Sequence, residues 1–213
     1  MATLRHNAGG GSVLAEGHGA REGAMKTIIL VASALTALSG APAAGSPLKS
    51  LYTTIELGSC RTVQRHADGN AWECSGLEGW PVWIAEGDLR TFVSVGPEPA
   101  KRRAATQTLP AFNSPFAEKS TRATLEWRFD RRGGRIIPYA TILRYVTRSD
   151  RAHGAALIVT RVTRSDTCQV AWIDALANPD AIAIARRIAD TVARTFDCSQ
   201  NPTIAGARGH SPM

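Results

Sequence analysis

Glu86-Gly87-Asp88 sets two carboxylates one residue apart, and close carboxylates are raw material for general acid–base chemistry. His66 and His153, the histidines of residues 44–198, could serve as a base once a partner orients them. Each of these groups sits among turn-forming polar residues, so each also reads as a solvated turn. The motifs that mark a nucleophile or a phosphate cradle, G-x-S-x-G, H-E-x-x-H, G-x-x-x-x-G-K and G-x-G-x-x-G, are absent. The acid–base candidates for an enzyme are therefore Glu86, Asp88 and His66, with no catalytic residue assigned.

Binding chemistry has more material. Arg131, Arg132 and Arg135 surround Gly133-Gly134, and Lys101, Arg102 and Arg103 form a second basic cluster. Arginines beside a glycine turn suit a phosphate or carboxylate, because guanidinium forks and exposed backbone N–H groups both donate to anions. The competing reading is a soluble hairpin tip. Trp72, Trp80 and Trp83 crowd together and suit either an aromatic contact surface or packing against a disulfide.

Cys60, Cys74, Cys168 and Cys198 are even in number and lie beyond an export-like leader, which argues for disulfides. Residues 61–73 read as a β-hairpin. A two-residue turn at Asp68-Gly69 would set Cys74 opposite Val63, so a Cys60–Cys74 bridge predicts a five-residue loop, Arg65–Gly69. Cys168 opens a strand and Cys198 closes a helix that spans Pro179 to about Phe196, with Asn178 as N-cap. A helix of that length, about 27 Å, would fold back along a strand of about 26 Å and bring Cys198 to Cys168. No Cys-x-x-Cys pair is present, so neither a metal nor another cofactor is expected.

The elements that must position these groups are mostly strands. Two-residue alternation recurs through residues 81–95, 123–129 and 136–147, then 155–162 and 168–174, with short turns between. Ala156-Leu-Ile-Val159 is apolar on both faces and predicts a central strand covered on one side by the helix. Ile184, Ile188 and Val192 predict the docking stripe of that helix, against Leu157 or its neighbours. Residues 96–120, rich in proline, form the one long connection and the best loop for function. The expectation is an α+β domain over residues 44–198: a curved antiparallel β-sheet, a meander, with one long C-terminal helix on a face. Residues 199–213 lack pattern and read as a loose tail.

Met25-Lys26, the apolar run Thr27–Leu38 and Ala41-Pro42-Ala43 follow the order of a signal peptide cleaved after Ala43. Residues 1–24 then read as an upstream over-extension, with translation starting at Met25. Removal of residues 1–43 lowers the net charge from +7 to +6, so the exported chain stays basic. That balance favours an anionic envelope polymer or an acidic protein as partner. It offers no nucleic-acid recognition motif, and cleavage leaves no membrane anchor.

Five strings carry a resemblance: Lys49-Ser-Leu-Tyr-Thr-Thr-Ile55, Val82-Trp-Ile-Ala-Glu-Gly-Asp-Leu-Arg90, Gln107-Thr-Leu-Pro110, Leu125-Glu-Trp-Arg-Phe-Asp-Arg-Arg-Gly-Gly-Arg135 and Asp174-Ala-Leu-Ala-Asn-Pro-Asp180. Over residues 49–198 the chain resembles a group of small secreted proteins of alphaproteobacteria. The resemblance implies a periplasmic address and the start at Met25, and no particular activity. The functional expectation is an exported, non-enzymatic binding or inhibitor module for an envelope polymer or protein. The alternative is a small periplasmic hydrolase acting on envelope material.

Overall fold

The computed structural model describes residues 50–213; the expected extension (1–24) and leader (25–43) lie outside the described residues. The strands are β1 (Ser50–Glu56), β2 (Arg61–His66), β3 (Gly69–Leu77), β4 (Trp80–Gly87), β5 (Arg90–Val95), β6 (Phe112–Ser114), β7 (Arg122–Arg132), β8 (Arg135–Arg148), β9 (His153–Val162) and β10 (Thr167–Asp174). Helix α1 (Ala181–Thr191) and strand β11 (Thr203–Ala205) follow. The α+β class holds, but the strands divide into two sheets rather than one meander. One sheet runs β2-β3-β4-β5; the other runs β1-β7-β8-β9-β10-β11, with β6 taking over beside β8 beyond the start of β7. All neighbours are antiparallel except β10 and β11.

Alternation decides the layers. Leu125 and Trp127 of β7, Leu143 and Tyr145 of β8, and Ala156 and Ile158 of β9 face the smaller sheet. There they meet Trp80, Val82, Ile84, Val93 and Val95. Ile142, Leu157 and Val159 project from the opposite face and pack under α1. The doubly apolar Ala156–Val159 segment is thus central, as its composition predicts, because it feeds two cores.

The helix is shorter than the Pro179–Phe196 span, and its docking face is rotated. Ala181, Ile184, Ala185 and Ala189 are buried and Ile188 is partly buried, whereas Val192 is 44% exposed. Small alanines let the helix sit close to the sheet. Near Thr191 the amides of Val192 and Ala193 both donate to the Ile188 carbonyl, at 2.8 and 3.0 Å, and the helix unwinds into a turn. Ala185→Leu is therefore expected to overpack this interface and cost about 1–3 kcal/mol. Val192→Asp should stay within about 0.5 kcal/mol of wild type. Chemical denaturation of both variants checks the rotation, and the reverse ranking would restore the Ile184-Ile188-Val192 stripe.

Both disulfides form, Cys60–Cys74 with Cα atoms 4.4 Å apart and Cys168–Cys198 with 5.7 Å. The first does not use the expected five-residue loop. His66 pairs with Gly69 across a two-residue turn at Ala67-Asp68. Val63 is then an extra residue between the Thr62–Trp72 and Gln64–Ala71 pairs. That bulge shifts the register by one and sets Cys60 opposite Cys74.

The segment 199–213, expected as a loose tail, is fastened to the fold. β11 pairs with Ala171–Ile173 of β10, and Asn178 donates to Ala207 O (2.8 Å) and accepts from Ala207 N (2.8 Å). These bonds explain why Asn178 does not cap α1: its side-chain amide is committed to the tail and to Asp174 O (2.8 Å). Among the described residues no helix is long and apolar enough to cross a membrane.

Candidate functional site: a cleft at one end of the two sheets

Where the β4–β5 and β2–β3 turns approach β6 and the β8–β9 end, the sheets part around a cavity of about 640 Å³. That size suits a small-molecule ligand. Leu89, Phe112, Phe116 and Val146 supply apolar wall; Asp68, Glu86 and Glu118 supply carboxylates; Arg90, Arg148 and His153 line it as well. On the inter-sheet face of β8, in line with Leu143 and Tyr145, Thr147 is 2% exposed and its Oγ1 has no hydrogen-bond partner among the described residues. A buried hydroxyl left unpaired is costly, and a ligand in the cleft would satisfy it.

The β4–β5 connection is a two-residue turn at Asp88-Leu89, because Gly87 pairs with Arg90. Both turn residues have positive φ, 51° and 58°. Glycine, asparagine and aspartate favour this conformation; a leucine there is strained. The strain places a 66% exposed apolar side chain on the rim of the cleft. Arg90 is occupied: it pairs with Asp88, donates to Pro110 O (2.9 Å) and lies 5.9 Å from the Phe112 ring. Glu86 remains solvent-accessible, but partial burial pushes its carboxyl above the usual range.

The late part of residues 96–120 lines this cleft, as a fixed wall. Gln107 accepts twice from Gln169 of β10: its side-chain Oε1 from the Gln169 backbone N–H (2.8 Å) and its backbone carbonyl from the Gln169 side-chain amide (3.0 Å). Asn113 N donates to Leu89 O (3.2 Å), and Asn113 Oδ1 accepts from Thr91 N (3.2 Å). Arg102 donates to Pro97 O (2.9 Å), Arg164 O (2.9 Å) and Ser165 O. Two members of the Lys101-Arg102-Arg103 cluster are taken up in structure, Lys101 by Glu98 and Arg102 by two loops; Arg103 is half-buried, and its Nε has no hydrogen-bond partner among the described residues.

The other predicted groups lie apart from the cleft. Arg132 and Arg135 pair across the Gly133-Gly134 turn, Arg131 is 5.5 Å from the Phe129 ring, and all three arginines are exposed. That tip and the cleft occupy opposite ends of β8, about 40 Å apart at ~3.3 Å per residue. Trp80 is buried between the sheets with Arg164 at 5.3 Å from its ring, Trp72 packs on the same core, and half-buried Trp83 faces away from Trp72. The three do not form one surface. His66 does not line the cavity. Among the described residues no group of acidic, histidine or cysteine side chains could hold a metal.

No protein-family model, curated protein or solved structure matches the chain. The functional reading therefore rests on the geometry. Its two clues in the sequence were modest: a leucine where a tight turn asks for glycine or asparagine, and phenylalanines late in the long connection.

Proposed function

We propose that the protein is an exported, non-enzymatic binding module that holds a small ligand in the cleft between its sheets. The carrying observation is the 640 Å³ cavity with apolar walls and the unpartnered Thr147 hydroxyl at its floor. The two disulfides fit an oxidising compartment, and the periplasmic address belongs to this proposal. A fragment screen by amide chemical shifts tests it. Ligands should perturb Leu89, Phe116 and Thr147 together, and hits confined to other surfaces would reject the cleft.

The basic tip supports attachment to an anionic envelope polymer or acidic protein at a distance from the ligand. Replacing Arg131 and Arg132 with glutamate should weaken retention on an anionic envelope fraction without lowering the melting temperature, since exposed tip side chains contribute little to a core. The attraction is screened over about 8 Å at physiological ionic strength and over about 4 Å at ~0.5 M salt. Retention that survives both treatments would rule out electrostatic attachment.

The hydrolase alternative has one supporting observation: Glu86, with its raised pKa, shares the cleft with His153. Acid–base catalysis also needs an orienting partner, and Glu86 makes no side-chain hydrogen bond among the described residues. Turnover of envelope material that is abolished by Glu86→Gln would favour the enzyme.

A further inference from the structure

We infer that the ligand of the cleft is a small organic cation, an amine or guanidinium on an apolar body. The inference rests on the binding reading above and adds the charge and shape of what is bound. Asp68, Glu86 and Glu118 line the cleft, and none of them forms an ion pair among the described residues. In a chain of net charge +7, three carboxylates without ion pairs share this cavity with one arginine, Arg148, that is likewise in no ion pair among the described residues, so carboxylates predominate there.

The positive side chains nearby do not cancel it. Arg90 is spent on Asp88 and Pro110 O. Arg148 and His153 pair with each other in register across β8 and β9, which puts both on the face opposite Thr147. They form an outer lip, while the inner wall carries Phe116 and the Thr147 hydroxyl. An ammonium or guanidinium group is a matching donor for this lining, since the Glu86 carboxylate and Thr147 Oγ1 both accept hydrogen bonds. Phe116 and Leu89 would cover the apolar remainder. A carboxylate ligand would instead meet three like charges, and a neutral one would leave them unpaired.

The test uses phenethylamine, phenethyl alcohol and phenylacetate, which share an aromatic body and differ in head group, titrated into the full chain. Calorimetry gives affinity, and amide shifts at Phe116 and Thr147 report location. The amine should bind about tenfold or more tightly than the alcohol, and Glu86→Gln should remove that advantage, as expected for a charge-assisted hydrogen bond. Glu118→Gln gives a second reading at the rim, and an unchanged melting temperature shows that either variant is folded. Alcohol or phenylacetate binding at the cleft as tightly as the amine would overturn the cation while leaving the binding module standing. Failure of every probe to shift cleft amides at millimolar concentration would overturn both.

Discussion

Asp174→Ala should destabilise the protein by about 3 kcal/mol or more and release its C-terminal segment. The side chain is fully buried at the end of β10. Its carboxylate accepts from Leu176 N (2.9 Å), Ala177 N (3.1 Å), Gly209 N (3.0 Å), Ser211 N (3.3 Å) and Ser211 Oγ (2.6 Å). Alanine removes the shared acceptor, and the Ser211 amide and hydroxyl, the buried donors of the set, cost about 1–3 kcal/mol each when left unpaired. The chain has no easy relaxation there, because Ser211 sits against Gly154, where an added Cβ would fall 2.6 Å from it. Hydrogen exchange should show lost protection at Thr203–Ala205, and thermal melting should show the drop in stability. A variant that melts with wild type would mean that the tail is held by β11 and Asn178 alone.

The same carboxylate sets an acid limit. Burial alone would raise its pKa, but the Ser211 hydroxyl and the amides of Leu176, Ala177 and Gly209 outweigh burial and hold it below the ordinary value. A depressed pKa contributes stability that is fully present above the unfolded value of about 3.9 and is lost as pH falls through the lower folded value. Loss of tail protection in the wild type should therefore begin below about pH 4. Asp174→Asn, which cannot titrate, should show a flatter acid profile in that range.

Much of this architecture was readable from local pattern. The cysteine pairings follow from a hairpin and a strand–helix return, and the central strand follows from four apolar residues in a row. Features that depend on distant partners were not readable. Nothing local to residues 61–73 specifies a bulge at Val63; the register settles because Thr62 and Gln64 keep their pairs with Trp72 and Ala71. The tail has no periodicity because its order comes from two side chains, Asp174 and Asn178, far away in sequence. The helix face departs from its sequence pattern for a related reason. Branched residues at four-residue spacing suggest a stripe, yet Ala185 and Ala189 are the fully buried positions. What turns the helix that way is charge.

Along β7 the residues Glu126, Arg128 and Asp130 point toward α1, and the helix and the turn after it answer with Arg186, Asp190 and Arg194. Arg186 donates to both oxygens of Glu126 (2.8 and 3.2 Å). Arg128 donates to both oxygens of Asp190 (3.0 and 2.7 Å), and Arg194 to both of Asp130 (2.9 and 2.7 Å). Two strand residues advance about 6.7 Å and four helical residues about 6.0 Å, so every rung stays in register. Tyr139, the extra residue of a bulge in β8, is buried on the α1 side of the sheet, donates to Asp190 Oδ1 (2.6 Å) and lies under the Arg194 guanidinium, 3.6 Å from ring centroid to Cζ. Glu126 and Arg128 are themselves buried, so the ladder holds charge inside the interface. Arg128→Met should then cost about 3–5 kcal/mol, since it leaves Asp190 and Glu126 beside apolar surface without their central cation. Replacing both partners, Arg128→Met with Asp190→Leu, should recover most of that loss, because an apolar pair of similar volume carries no desolvation penalty. Denaturant unfolding of the two singles and the double closes the cycle. If the double variant loses the sum of the singles, Arg128 and Asp190 are not coupled and this rung does not hold the helix in register.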